Sequence, residues 1–379
     1  MNSDENTITI LQSPIKIKRM DLLKSYNKSK CLTLLLYVLL CFVINLKFVL
    51  DIIYDVSVTY LNIIIFLLAF PLLLGKQKKE YILLFIILGV SCYSLGRSAV
   101  LLLMIAYAFR NLDYKQFALI NTICLLLFLF VIYFSLQNNI INETIEYGIT
   151  KLGEFRYRGD LGFGNSNRYS IYIYSILMSL YLWLPSKMNL LYLICITVIS
   201  YQVYEYTDSK TYILAIICFV VCLFLSRTHF FYYIPIKYCF YILPLLFICL
   251  IYFICYSAFF YDWVNLILSN RLSYYRDLLD NISISNFIYG SRLMNEVLID
   301  NSYLHLLFDV GILYFVIFYY LYYNALRYNY DRMVKISPVV ISILLYGITE
   351  SYFSYLTTTG SLLIWLIIYQ NRKIKNVSY

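Results

Sequence analysis

The sequence predicts an all-α polytopic membrane protein. Hydrophobic residues make up 62% of its 379 residues and charged residues 13%, with a mean hydropathy of +0.73. A soluble domain carries about 25% charged residues. Apolar runs recur along the whole chain with short polar connections between them. The remaining polarity gathers into two islands, residues 137–168 and 258–302.

A membrane-spanning helix needs roughly 20 apolar residues. The runs fall at 31–50, 56–74, 80–95, 98–110, 117–136, 169–184, 189–206, 210–226, 238–257, 303–324, 336–350 and 353–370. About 12 transmembrane helices are expected, with a range of 10–12 because only Gly96–Arg97 separates the third run from the fourth. Residues 1–30 read as a cytosolic tail, since Lys16, Lys18, Arg19, Lys24, Lys28 and Lys30 make it too long and too charged for a signal n-region. Residues 31–370 form one membrane domain and 371–379 a second cytosolic tail. There is no internal repeat and no low-complexity linker.

Twelve spans place both termini on one side, and basic residues decide which. The two tails and the connections on their side hold 20 of the 30 Lys and Arg. That side reads as cytosolic, which turns both islands outward. The net charge of +9 therefore records topology. Nucleic-acid binding would need the basic residues gathered on one soluble surface, and here they are scattered over short turns. All 10 cysteines fall in the proposed spans, so the islands have no disulfide framework. With 2 His in the chain a metal site is not expected.

Charge between spans is where polar chemistry can occur. The islands hold seven Lys and Arg: Lys151, Arg156, Arg158, Arg168, Arg271, Arg276 and Arg292. The first island ends in a glycine turn, Gly159, Gly162 and Gly164, that runs into a helix at Asn167. Three Arg flank it, against the usual charge bias of an outward loop. Backbone amides in such a turn can approach an anion, and phosphate suits the arrangement. Helix capping with interfacial Arg is the structural alternative. The turn lacks the strand and βαβ context of a dinucleotide fold.

The second island ends Asp300-Asn301-Ser302-Tyr303-Leu304 and plunges into a span. Asp300 stands where an N-cap belongs, and it could equally serve as a base for a substrate hydroxyl. His305 and Asp309 follow one turn apart, as a proton relay or a structural pair. Glu350, in a short outward turn, is a second candidate base. Lys210, beside Asp208 and Ser209, adds a cation near the same face, as does Arg97.

These residues resemble the Wzy-type O-antigen and capsular polysaccharide polymerases, within the O-antigen ligase/polymerase superfamily. Arg158…Gly162-Phe163-Gly164-Asn165-Ser166-Asn167 resembles the family's Arg…Gly-Phe-Gly-His-Pro-Asn element. Ser209-Lys210-Thr211 is similar to its Ser-Arg-Ser/Thr turn. Asp300-Asn301-Ser302-Tyr303-Leu304 with Gly311 resembles its Asp-Asn-x-Tyr-Leu…Gly helix start, and Gly347…Glu350 a late Glu-bearing span end. Asn165-Ser166 replaces His-Pro and Lys210 replaces Arg. Related ligases carry a His where this chain has Asp300, which favours a polymerase.

The resemblance implies a GT-C-like, metal-independent glycosyltransferase without cofactors, on the outer face of a bacterial plasma membrane. Donor and acceptor would be oligosaccharide repeat units on undecaprenyl pyrophosphate, with a chain-length regulator as a further partner. Asp300 and Glu350 would be catalytic. Arg158, Asn167, Arg168, Lys210, Arg271, Arg276, Arg292, Asn301 and Tyr303 would bind the pyrophosphate and sugars. A ligase, a flippase or transporter, and a non-enzymatic sensor or scaffold are the alternative readings. A transporter, however, gathers charge near the bilayer midplane, and here it gathers in loops.

The topology has a direct check. In a background without native thiols, a cysteine replacing Ser283 is expected to react from outside with a membrane-impermeant reagent. One replacing Lys78 is expected to be protected. The reverse pattern would overturn the orientation.

Overall fold

Long apolar runs leave the backbone no water to bond with, so the helix, which satisfies its own amides, is the conformation they impose. The computed structural model describes residues 13–54, 60–73, 97–149, 155–184, 189–267, 271–290, 300–354 and 356–371. Among the described residues, four helices precede the first island: α1 (Ser13–Tyr54), α2 (Leu61–Leu73), α3 (Arg97–Ala108) and α4 (Tyr114–Gln137). Four follow it: α5 (Ser166–Trp183), α6 (Asn189–Thr207), α7 (Lys210–Leu225) and α8 (Ile234–Tyr256). The expected span at 80–95 lies outside the described residues.

Among the described residues, Cys31–Tyr54, Tyr114–Gln137 and Ile234–Tyr256 are long and apolar enough to cross a membrane. Their outer faces carry exposed rings and aliphatic chains, such as Leu126, Phe130 and Phe134 on α4 and Tyr252 and Phe253 on α8. Apolar surface of this extent needs lipid, or another protein, as its surroundings. The protein is a mostly helical membrane protein.

Neither island is a plain loop. The first contains an antiparallel hairpin, β1 (Ile145–Ile149) and β2 (Phe155–Gly159), with Glu146 opposite Arg158. The second folds into three short helices: α9 (Tyr261–Ile267), α10 (Arg271–Asn281) and α11 (Ile284–Tyr289). Leu272, Tyr275 and Leu278 are the buried stripe of α10, three residues apart. That spacing puts one face of the helix against the bundle.

The last third departs most from the apolar runs. The run at 303–324 is not one helix. A single turn, α12 (Ser302–Leu304), passes into a π-helical turn, His305–Asp309, before α13 (Ile312–Lys335) begins. Gly311, with φ +101°, makes the break. The helix then continues through 325–335, where sequence reading put a turn, with a kink at Asn329. α14 (Ser337–Tyr346) and α15 (Leu363–Asn371) are short. The run at 353–370 is thus helical only in its second part, after a 3-10 turn at Thr359–Leu362.

Irregular backbone at this depth survives only where protein supplies its hydrogen bonds. Thr359 shows how. Its hydroxyl accepts from Asn45 Nδ2 of α1 at 2.8 Å and donates to Asn121 Oδ1 of α4. Asn121 Nδ2 in turn donates to Ser179 Oγ of α5 at 2.7 Å. Tyr352 donates to the Gly360 carbonyl at 3.1 Å. Asn45, Asn121, Ser179 and Thr359 are all buried.

Gly290 ends α11 with φ +82°, and a Cβ there would lie 2.4 Å from the carbonyl oxygen of Asp309. Gly290→Ala is therefore expected to lower the melting temperature of the purified protein, by the equivalent of roughly 1–3 kcal/mol for the strained backbone alone. A melting curve that matches the parent would show that α11 is free to shift off the π turn.

Candidate functional site

Glu350 is the centre of the site. It follows α14, and its side chain is 3% exposed. An isolated carboxylate there would be costly, and two partners face it. Arg271 Nη1 donates to Glu350 Oε1 at 2.9 Å, and Thr211 Oγ1 donates to the same oxygen at 3.2 Å. Arg271 opens α10 and Thr211 lies in the first turn of α7. Arg271 also donates to the Thr349 carbonyl, and its Nη2 lies 3.4 Å from Asp300 Oδ2.

Burial holds the Glu350 carboxyl up at about 7, from an ordinary value of 4.5, against the pull of Arg271 and with Asp300 adding to the rise. Burial also works against the charge of Arg271, yet Glu350 and Asp300 together raise its pKa above the ordinary value. Near neutral pH the Glu350 carboxyl is therefore divided between its protonated and ionised forms, while the guanidinium stays charged. Asp300 is 47% exposed and forms the open side of the cluster.

The helix start is stitched to the turn that carries Glu350. Asn301, and not Asp300, caps α12: its Oδ1 accepts from the amides of Tyr303 at 2.9 Å and Leu304 at 3.0 Å. Its Nδ2 donates to the Ile348 carbonyl at 2.6 Å. Ser302 donates through its amide to the Gly347 carbonyl and through Oγ to the Glu350 carbonyl, each at 2.8 Å. Tyr275, one turn beyond Arg271, donates to the Asp300 carbonyl at 2.9 Å. Freed of the cap, the Asp300 side chain turns to Arg271.

The first island joins this cluster through the α6–α7 turn. Arg158 Nε donates to the Thr207 carbonyl at 3.0 Å, and its Nη2 donates to Asn167 Oδ1 at 2.7 Å. Glu146 lies 3.8 Å from Nη1. Arg158 and Asn167 thus bind hairpin, α5 and α6 together at the turn leading to Thr211. In the glycine turn, Gly162 has φ +80° and Gly164 +69°. The Gly162 amide donates to Asp160 Oδ1 at 2.9 Å. The cap of α5 is Asn165, two residues before Asn167, and the helix begins at Ser166.

The other sequence-selected residues scatter around the cluster. Arg168 and Lys210 are exposed at the N-terminal turns of α5 and α7. Arg276 sits 3.8 Å from Asp280 and lies over the rings of Tyr256 and Tyr261. Tyr303 is fully buried and donates to the Leu344 carbonyl at 2.8 Å, which pins α12 to α14. His305 Nδ1 lies 3.9 Å from Asp309 Oδ2 within the π turn. Arg292 lies outside the described residues, as does the side chain of Arg97.

Tyr275 escaped sequence reading, and Thr211 entered it only as the last residue of the Ser209-Lys210-Thr211 turn, with no role of its own. Each is an ordinary residue in its own helix, and only the 2.9–3.2 Å contacts across helices give it a role at the site. An apolar cleft of about 340 Å³ opens beside the glycine turn, lined by Leu126, Leu129, Phe130 and Tyr133 of α4 with Leu161, Phe163 and Tyr169. Chemically, the cluster offers a fixed cation, an accessible carboxylate and a buried carboxyl that can hold or release a proton near pH 7. Comparison with protein-family models, curated proteins and solved structures finds no match.

The raised Glu350 value has a signature. The folded protein holds this proton more tightly than the unfolded chain, so the contribution to stability is full below pH 4.5 and is lost as pH rises through about 7. Glu350→Gln, which cannot ionise, is expected to flatten the melting temperature across that window relative to the parent. Identical pH profiles would show that the carboxyl titrates as an ordinary one.

Proposed function

We propose that the chain is a membrane-embedded polymerase. It joins undecaprenyl-pyrophosphate-linked oligosaccharide repeat units into O-antigen or capsular polysaccharide on the outer face of a bacterial plasma membrane. The supporting observation is the meeting of Arg271, Asp300 and Glu350 at 2.9 and 3.4 Å, from three stretches of chain. Two of those stretches, at 300–304 and 347–350, carry the family resemblance, and Thr211 of a third donates to Glu350. About 12 spans in a GT-C-like arrangement, with both termini cytosolic, belong to this reading.

In that reaction the acceptor hydroxyl attacks the anomeric carbon of the donor, its proton passes to a base, and the anomeric C–O bond breaks to release the lipid pyrophosphate. Asp300, the exposed carboxylate, takes the proton. Arg271 stabilises the charge that grows on the departing pyrophosphate through its planar fork. Glu350 fixes Arg271 in place and tunes its charge. Arg168 and Lys210 supply further exposed cations on the same end of the bundle, and Arg158 and Asn167 hold the turn that carries Lys210. Arg276 and Arg292 complete the expected binding set, while Asn301 and Tyr303, both buried and bonded inside the bundle, hold the helix start in place. The apolar cleft beside the glycine turn suits the hydrocarbon tail of a lipid-linked substrate.

The test is polymer length in cells that lack the native gene and express variants at parental level. Asn301 performs the capping, so substitution of Asp300 leaves the helix start intact. Asp300→Asn and Arg271→Lys are each expected to reduce the ladder of long chains by about tenfold or more. Single repeat units should accumulate. Normal ladders from both variants would remove the reading.

A further inference from the structure

The end of the bundle opposite Glu350 carries a second cavity, of about 340 Å³, unrelated to the cluster above. Helix directions place it. Its walls are the start of α4, the ends of α5 and α7, and the junction of α13 with α14. α7 begins at the Glu350 cluster and reaches the cavity 16 residues later, a rise of roughly 24 Å.

Three cations from three separate helix ends line it: Lys115, Arg227 and Lys335. No acidic residue is among its lining residues. The carboxylates nearby in sequence are engaged elsewhere, Asp113 with Arg332 at 3.3 Å and Asp331 with the Tyr232 hydroxyl at 3.0 Å. Tyr114, Tyr181 and Ser226 line it beside the cations, the Ser226 hydroxyl donating to the Leu223 carbonyl at 2.9 Å, and Leu182, Leu184, Leu223 and Ile336 supply an apolar wall. Ile336 also precedes α14, whose first turn has no side-chain cap. The neighbouring Ser337 keeps its Oγ buried and without a hydrogen-bond partner among the described residues.

Cations on this side follow from the charge rule of membrane proteins. The rule does not require three of them to converge on one cavity. We propose that the cavity binds the phosphate headgroup of an anionic glycerophospholipid from the surrounding leaflet. The cations hold the phosphate, and the apolar wall takes the first carbons of the acyl chains. A free phosphate ion has no use for that wall. The volume falls in the range of small-molecule sites, roughly 300–1,000 Å³, and basic pockets between helices at the cytoplasmic surface are suited to such headgroups. Bound there, the lipid clamps four helix ends whose other termini form or flank the Glu350 cluster. This inference rests on the membrane setting of the chain and is independent of the proposed reaction.

Thermal unfolding of the purified full-length protein in detergent tests it, with phosphatidylglycerol, phosphatidylcholine or inorganic phosphate added. Phosphatidylglycerol is expected to raise the melting temperature by several degrees over phosphatidylcholine, and inorganic phosphate to have no effect. The triple variant Lys115→Gln, Arg227→Gln, Lys335→Gln should lose the difference. A control pair at the same end but outside the cavity, Lys237→Gln with Arg327→Gln, should keep it. If the triple variant does not fold, each single variant should show a reduced difference. Equal response to the two lipids, or a preference that survives the cavity substitutions, would overturn the proposal. So would a preference lost as fully in the control pair, which means diffuse surface charge. A shift reproduced by inorganic phosphate would replace the lipid with a soluble anion.

Discussion

A carboxyl group removed from water must be neutralised, paired or protonated, and much of this fold follows from how that is done for Glu350. Desolvation penalises the charge, so the side chain needs donors that cannot drift away. Arg271 comes from α10, Thr211 from α7, and the surrounding backbone is tied by Asn301 and Ser302. Four stretches of sequence are thereby held to a single point. The second island cannot be an open loop under this constraint, because Arg271 has to be delivered with its side chain only 18% exposed. Leu272, Tyr275 and Leu278 seat α10 on the bundle and fix where the guanidinium arrives.

The same constraint accounts for the broken helices around the site. The turn at 347–350 takes its hydrogen bonds from the helix start, the Ser302 amide and the side chains of Asn301 and Ser302. The π turn and Gly311 interrupt the helix just beyond that start. The broken backbone is costly in an apolar medium unless it is answered internally. At the 3-10 turn of 359–362 the answer is visible: Asn45 Oδ1 accepts from the Thr359 amide and Tyr352 donates to the Gly360 carbonyl. Substituted helices would be simpler to fold, so the irregularity marks the region where geometry matters more than regularity.

The two ends of the bundle treat charge in opposite ways. At the Glu350 end, cations meet carboxylates: Arg271 with Glu350 and Asp300, Arg276 with Asp280, Arg158 with Glu146. Such pairing fixes the direction and position of each side chain. At the other end Lys115, Arg227 and Lys335 surround a cavity that contains no acid. An excess of one sign there leaves a field for an anion to complete.

By itself the sequence determined the membrane class, the number of apolar runs, the two islands and the short stretches in which site residues would be found. Those properties are local: hydropathy, charge counts and short motifs are visible without contacts. It also singled out Arg271, Asp300 and Glu350 as separate candidates. What it left even was whether Asp300 capped a helix or faced a ligand, since both roles use one carboxylate at one spacing. The tertiary structure removed the first role by giving the cap to Asn301, and it placed Arg271 beside Asp300. It likewise decided that Arg158 clasps the α6–α7 turn, that Tyr303 is pinned inside the bundle, and that the run at 303–324 is broken. The Arg158 and Tyr303 contacts depend on partners 49 and 41 residues away, and burial by such partners leaves no periodic trace in the chain. Hydropathy reports how much a segment prefers lipid; which side chain answers a buried charge is settled only when the helices pack.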